Sequence, residues 1–274
     1  MGKKIRLDLL LVEKGYMETR EKAKRTIMAG LVFVDQTRID KPGQKVDEDK
    51  EILVKGKAIP YVSRGGLKLE KAIKEFSIDL AGKVMIDIGS STGGFTDCAL
   101  QNGAELSYAI DVGYNQLDWK LRNHPQVVVM ERTNFRYVTE DDLAHGKPQF
   151  ASIDVSFISL RIILPVLANL MAEGGEVVAL IKPQFEAGRE QVGKKGIIRD
   201  AKIHAQVVDN ILNFALAHGY SVYGLTFSPI TGGDGNIEFL VHLKIAEEQE
   251  GKIMHDVKTE SVVEQAHHAH SKRS

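Results

Sequence analysis

The chain has 274 residues, 43% of them hydrophobic and 27% charged, so at roughly 150 residues per domain it holds one large domain or two smaller ones. Such a composition excludes a disordered chain, and a lone cysteine, Cys98, excludes an internal disulfide framework. The formal charge of -1 hides an asymmetry: residues 1 to 60 carry 14 Lys+Arg against 10 Asp+Glu, leaving 22 against 27 for the rest. A small basic module suited to phosphates thus precedes a mildly acidic one suited to a small-molecule site.

The first apolar stretch is interrupted by Glu13 and Lys14 with no small-residue cleavage site behind it, so no signal peptide is read. The most apolar later run, Ile158 to Met171, carries Arg161, Pro165 and Asn169 and falls short of the roughly 20 residues that span a bilayer. A cytoplasmic protein with no membrane contact is expected. Ile5 to Lys14 reads as a helix closed by Gly15, and Thr19 caps a second, Arg20 to Ala29, closed by Gly30. Then come LVFVDQTRI and EILVKG, strand-like runs joined at a KPGQK turn, giving an α-α-β-β module. On its second helix Arg20 and Lys24, four apart, share a face suited to a phosphate backbone.

Residues Ile5 to Val54, with REKAKRTIMAGLV at their centre, resemble the S4 RNA-binding domain. The resemblance implies docking on structured RNA by shape and phosphates. Arg6, Arg20, Lys22, Lys24, Arg25 and Arg64 are the candidate contacts. The module is expected over residues 1–58, followed by a linker over 59–63 within GKAIPYV.

From there to residue 246, KVMIDIG, LSYAIDVG, QVVVM, QFASIDVSF, GEVVALI, YSVYGLTF and IEFLVHLKI alternate with amphipathic stretches such as SLRIILPVLANLM and IHAQVVDNILNFALAHG. That alternation predicts a doubly wound α/β domain with a mostly parallel sheet covered on both faces. Residues 247–274, ending in QAHHAHSKRS, read as a frayed polar tail, and no metal site is expected.

Directly after the first strand of this domain comes Asp87-Ile-Gly89-Ser-Ser-Thr-Gly93-Gly94-Phe95, opening a helix at the sheet edge where such folds bind ligands. Ser91 stands where the dinucleotide fingerprint has its second glycine, and the Gly-Lys-Ser/Thr ending of a P-loop is missing, so a pyrophosphate cradle is disfavoured. Asp111 ends the second strand, placed to accept from both hydroxyls of a ribose. A nucleoside cofactor without phosphates fits both observations.

The D-x-G-x-x-x-G-G-F run with its acidic strand end resembles the S-adenosylmethionine site of FtsJ-type ribose 2'-O-methyltransferases. Those enzymes carry a Lys-Asp-Lys-Glu tetrad, which Lys68 in SRGGLKLE, Asp154 in SIDVSFISL, Lys182 in ALIKPQFE and Glu238 in GNIEFLVHL match in chain order. Together with the front module these segments resemble the TlyA (haemolysin A) family of ribosomal RNA methyltransferases. The resemblance implies a Rossmann-like S-adenosylmethionine-dependent methyltransferase domain preceded by a small α+β S4 domain. Ribosomal RNA or ribosomal subunits are the implied partner, a cytidine ribose the implied acceptor, and no obligate protein partner is evident. The cofactor is expected to meet Asp87, Gly89, Ser90, Ser91, Thr92, Gly93, Gly94 and Phe95, then Asp111 with Val112, Asn134 with Phe135, and Asp154. Phe135 suits adenine stacking and core packing equally, and Trp119 is assigned to packing.

Transfer of a sulfonium methyl to a sugar hydroxyl needs that hydroxyl oriented and its proton managed. Two roles are open to Lys182: giving up its own proton beside cationic Lys68 and acting as base, or staying charged and stabilising the forming alkoxide. Three other readings compete. A pseudouridine synthase is suggested by Arg6-Leu7-Asp8, but a salt-bridged helix start explains that motif better. A non-catalytic RNA-binding or ribosome-assembly factor on the same scaffold is opposed by the intact tetrad. A membrane-lytic haemolysin lacks a spanning or strongly cationic amphipathic helix.

Overall fold

A computed structural model describes residues 3–55, 59–193, 196–232, 235–246, 251–254 and 257–271, so the end of the expected front module (56–58) and parts of the expected tail lie outside the described residues. The chain forms two compact units that divide between Arg64 and Gly65.

The first unit opens with β1 (Lys4–Arg6), α1 (Leu7–Glu13) and α2 (Arg20–Met28). It continues with β2 (Val32–Val34), β3 (Thr37–Ile39), β4 (Lys45–Asp47) and β5 (Ile52–Val54). Thr19 caps α2, its hydroxyl accepting from Lys22 N at 3.2 Å, and Gly15 and Gly30 take the left-handed turns that end the two helices. Leu7, Leu10 and Leu11 of α1 and Ala23 and Ile27 of α2 pack on Val32, Val34, Ile39, Val46 and Ile52 in one small core. The expected α-α-β-β pattern is corrected in two places. The run LVFVDQTRI is a hairpin, β2 to β3, turned at Asp35 and Gln36, both at positive φ as a two-residue hairpin requires. Lys4–Arg6 is a strand rather than helix, paired antiparallel with the short charged strand β4.

The second unit holds α3 (Gly65–Phe76), β6 (Val84–Ile88), α4 (Gly94–Gln101), β7 (Leu106–Ile110), α5 (Trp119–Arg122), β8 (Val127–Met130) and β9 (Phe150–Ile153). After these come α6 (Leu160–Leu170), β10 (Glu176–Ile181), α7 (Pro183–Glu186), α8 (Ala201–Ala217), β11 (Tyr220–Phe227), β12 (Phe239–Ile245) and α9 (Thr259–Ser271). All seven expected strands form one sheet in the order β11-β12-β10-β9-β6-β7-β8. It is parallel except for β12, which runs antiparallel to both neighbours. The chain leaves β6 to one side for β7 and β8 and later returns to its other side for β9, so a crevice opens at the carboxyl end of β6.

Two expectations fail here. The polar tail carries a 13-residue helix, α9, because Val263 and Ala266 bury one face of it and the Thr259 hydroxyl donates to Asp209 at 2.6 Å. Trp119 does not pack inside: it is 76% exposed at the start of α5, where Leu121 is the buried residue.

Candidate active site

Most of the chemical side chains stand at or just past the carboxyl ends of the parallel strands. Asp87 is the penultimate residue of β6 and is buried, its carboxylate accepting from Thr96 N (3.1 Å), Thr96 Oγ1 (2.8 Å) and Ser152 Oγ (2.9 Å). Burial pushes its carboxyl up to about 6 against those bonds. Asp87 thus ties α4 and β9 to β6 beneath the glycine turn. At Gly89, with φ +82, a Cβ would lie 2.4 Å from the Asp154 carbonyl oxygen, so only glycine lets the ends of β6 and β9 approach this closely.

Beyond the turn, Asp111 accepts from Ser91 N at 2.8 Å and Gly113 N at 2.7 Å. These bonds fix the carboxylate while leaving each oxygen a free lone pair. Glu131, just after β8, anchors the next loop by accepting from the backbone N–H groups of Asn115, Gln116 and Leu117 and from Arg122 Nη2 at 2.7 Å. The Arg122 guanidinium, aided by those amides, holds the Glu131 carboxyl down to about 2.

A cavity of about 470 Å³ opens over this edge. Of the expected cofactor residues, Gly89, Ser91, Asp111, Val112, Asn134, Phe135 and Asp154 line it. Asp87, Ser90, Thr92, Gly93, Gly94 and Phe95 do not: Asp87 and Ser90 are buried below, and a Cβ on Gly93 would strike Leu121 at 2.3 Å. Phe135 is both core and lining, 3% exposed. The lining also includes Gln116, Thr133, Ser156 and Phe157, which sequence reasoning missed.

Beside the cavity the four expected catalytic residues meet. Lys68 on α3 donates to Glu238 Oε2 at 2.7 Å and Asp154 Oδ2 at 3.2 Å. Lys182 Nζ lies 2.5 Å from Asp154 Oδ1 and donates to Ser156 Oγ at 3.2 Å. Asp154 follows β9 and Lys182 follows β10. Glu238 is corrected from just inside the last strand to just before it, and the antiparallel β12 brings its start to the same edge, with Phe239 opposite Ile181. Burial works against both charges of the Lys68–Asp154 pair, but the two carboxylates around Lys68 keep its ammonium above the usual range, and the two lysines around Asp154 keep its carboxyl below. Two cations and two anions therefore balance in a nearly closed cluster, of which Asp154 lines the cavity.

A family model described as FtsJ-like methyltransferase matches residues 61–245, and one described as S4 domain matches residues 5–52. The chain belongs to the FtsJ-like methyltransferase family. A protein of Bacillus subtilis named as an rRNA methyltransferase, YqxC, is 64% identical to this methyltransferase over 267 residues, covering 97% of this chain and 95% of that one. The 16S/23S rRNA (cytidine-2'-O)-methyltransferase TlyA of Mycobacterium tuberculosis is 39% identical over 245 residues, covering 89% and 91%. A solved structure called a hemolysin, from Streptococcus thermophilus, superposes with a TM-score of 0.80 at 53% identity, covering 100% of this chain and 99% of that one. No helix among the described residues of this methyltransferase is long and apolar enough to cross a membrane.

Phe157 is the most informative residue that pattern reading overlooked. It is 90% exposed, holds a left-handed φ of +64, and tilts against Phe185 at 4.8 Å between centroids, the Phe185 centroid in turn lying 6.0 Å from Lys182 Nζ. Keeping a bulky residue in that conformation costs on the order of 1–3 kcal/mol, which hints at use. A signal existed in the sequence, since an aromatic three residues past a strand-end aspartate sits on the same rim.

In the S4 unit the basic residues are more committed than their count implies. Arg6 and Arg20 both bind Asp8, Lys22 pairs with Glu18, and Lys24 pairs with Glu21 at 2.8 Å. Arg25 is half-buried and Arg64 exposed.

Proposed function

We propose that this methyltransferase moves a methyl group from S-adenosylmethionine to the 2'-hydroxyl of a cytidine ribose in ribosomal RNA, with the S4 module docking on structured RNA. The tetrad carries the reading: Lys68, Asp154, Lys182 and Glu238 are joined by contacts of 2.5 to 3.2 Å at the rim of one cavity. The cavity suits the cofactor. Its volume lies in the range of about 300–1,000 Å³ typical of cofactor sites, and Asp111 offers lone pairs for ribose hydroxyls above an apolar floor that includes Phe135. When bound, S-adenosylmethionine supplies a sulfonium-activated methyl group.

The protein's own work is then orientation and charge. Lys68, held by Glu238 and Asp154, fixes the Asp154 carboxylate, and Asp154 in turn holds Lys182, which also donates to Ser156 of the cavity lining. A lysine fixed this way is best used as an ammonium that donates to the ribose oxygen as negative charge develops, the proton leaving to solvent as the new oxygen–carbon bond forms. Phe157 offers a face on which the target nucleotide stacks, so its sugar reaches the tetrad. An enzyme of ribosomal RNA works in the cytoplasm.

The test is transfer of labelled methyl to unmodified ribosomal subunits and free ribosomal RNA, comparing the native protein with Lys182→Ala and mapping the label by nuclease digestion. Label on a cytidine 2'-oxygen, reduced about 10²–10³-fold in the variant at unchanged cofactor affinity, is the expected outcome. Cofactor binding with no transfer to any RNA would sink the reading and leave a scaffold that binds RNA without chemistry.

A further inference from the structure

Asp8 is fully buried at the start of α1 and accepts three charge-assisted hydrogen bonds. Arg6 grips it with Nε and Nη2, both at 3.0 Å, and Arg20 adds Nε at 2.9 Å. The fourth bond is from the backbone, Leu9 N to Oδ1 at 3.1 Å. The two guanidiniums come from different elements, the end of β1 and the first turn of α2, yet converge on one carboxylate that solvent does not reach. Both side chains are nevertheless about half exposed, at 41% and 46%.

One bidentate guanidinium fills two of a carboxylate's roughly four lone-pair sites, and the second guanidinium fills a third while leaving the cluster with one net positive charge on two half-exposed side chains. Each guanidinium has five N–H donors; Arg6 spends two on Asp8 and Arg20 one. The remaining donors sit side by side on a surplus charge of one, which matches a singly charged phosphodiester. The KPGQK turn leaves room for this arrangement: a Cβ on Gly43 would crowd Arg6 Nη1 at 3.2 Å, and the carbonyls of Gln44 and Pro42 accept from Leu7 N (2.9 Å) and Asp8 N (3.1 Å), pinning the turn to the start of α1.

We propose that Asp8 is a positioning residue that joins Arg6 and Arg20 into one phosphate-gripping unit, its ligand a phosphodiester of the RNA backbone. The proposal rests on the RNA-docking role of the S4 module and adds that the two arginines act through the buried carboxylate as a pair. Preorganisation is the gain: two long side chains whose rotamers are fixed before binding lose little freedom when the phosphate arrives. Because the grip is to backbone, it strengthens binding to many sequences alike.

The experiment measures affinity of the full chain for unmodified 16S and 23S rRNA transcripts across a salt series, with cofactor affinity and the thermal midpoint recorded for each variant. Asp8→Asn keeps shape and removes the charge that orients both guanidiniums. It is expected to weaken RNA binding about tenfold and to lower the slope of log affinity against log salt by about one phosphate contact, with cofactor affinity unchanged. The neutral pair Arg6→Gln with Arg20→Gln is expected to show the same loss, and adding Asp8→Asn to it no further loss, a non-additivity that a merely structural aspartate would not give. Should Asp8→Asn unfold the module, Arg6→Lys with Arg20→Lys retains both charges and a partner for Asp8 but abolishes the forks, and a similar loss of affinity is then expected. Native-like binding by Asp8→Asn, or by the lysine pair where Asp8→Asn does not fold, overturns the proposal. If RNA binding also survives Arg6→Gln with Arg20→Gln and the triple change Lys22→Glu, Lys24→Glu and Arg25→Glu, the docking role of this module falls with it.

Discussion

At the scale of single residues, what decides the chemistry is how Lys182 is held. Its partner Asp154 is itself held by Lys68, so in the proposed reaction the lysine would meet the ribose oxygen with its direction already set. A charged stabiliser and a proton acceptor differ in what replaces them: Lys182→Arg keeps the charge and is expected to retain measurable transfer, whereas a residue needed as a base would lose all of it. Phe157→Ala tests the rim. Loss of one stacked base costs about 1–3 kcal/mol, so this variant is expected to raise KM for RNA roughly tenfold or more at unchanged cofactor affinity, and an unchanged KM removes the stacking role. The tetrad members were legible because each sits in a recognisable segment. Which glycine-turn residues line the cavity was not, since Asp87 and Ser90 occupy the same strand–turn–helix signature as Gly89 and Ser91 and only the path of the backbone separates buried from lining.

At the scale of elements, the active edge depends on close backbone approach. Gly89→Ala forces a Cβ into the Asp154 carbonyl and a strained φ, so the ends of β6 and β9 must separate. A drop of about 1–3 kcal/mol in unfolding free energy together with weakened cofactor binding is expected, by denaturant melts and calorimetry; a loss confined to stability would mean that the approach serves packing alone. The sheet strands of four to eight mostly apolar residues were plain in the sequence, whereas β1 and β4, three residues each with two of the three charged, were not, because a two-residue period needs more length than that to stand out. The helix α9 was missed for the opposite reason: its two buried residues, Val263 and Ala266, are too few to outweigh the polar and histidine content around them, and only their contact with the domain reveals the face.

For the whole molecule, acid stability follows from four carboxyls and one buried imidazole. Asp8, Glu131 and Glu176 are each held down to about 2, by Arg6 and Arg20, by Arg122, and by His242 with Lys83 respectively. Their contribution is complete above the unfolded values near 4 and is lost as pH falls through about 2. Asp87 works the other way: folded, it takes up its proton at about 6, so falling pH adds stability between about 6 and 4, while His204, which burial holds down to about 4, takes stability away between about 6.5 and 4. The two nearly cancel, so the thermal midpoint is expected to change little from pH 6.5 to 4 and to fall steeply from 4 to 2, and a drop from pH 6.5 to 4 as large as that below 4 would contradict this balance.

The antiparallel strand β12 also decides where along the chain the tetrad closes. It lies between β10 and β11, both of which precede it in sequence, so β11 has no strand partner in the sheet without it. Glu238, just before β12, is the last of the four residues to be made, and it is the closest carboxylate of Lys68, about 170 residues earlier. A chain cut before Glu238 would hold every other member of the tetrad and leave Lys68 with one carboxylate instead of two.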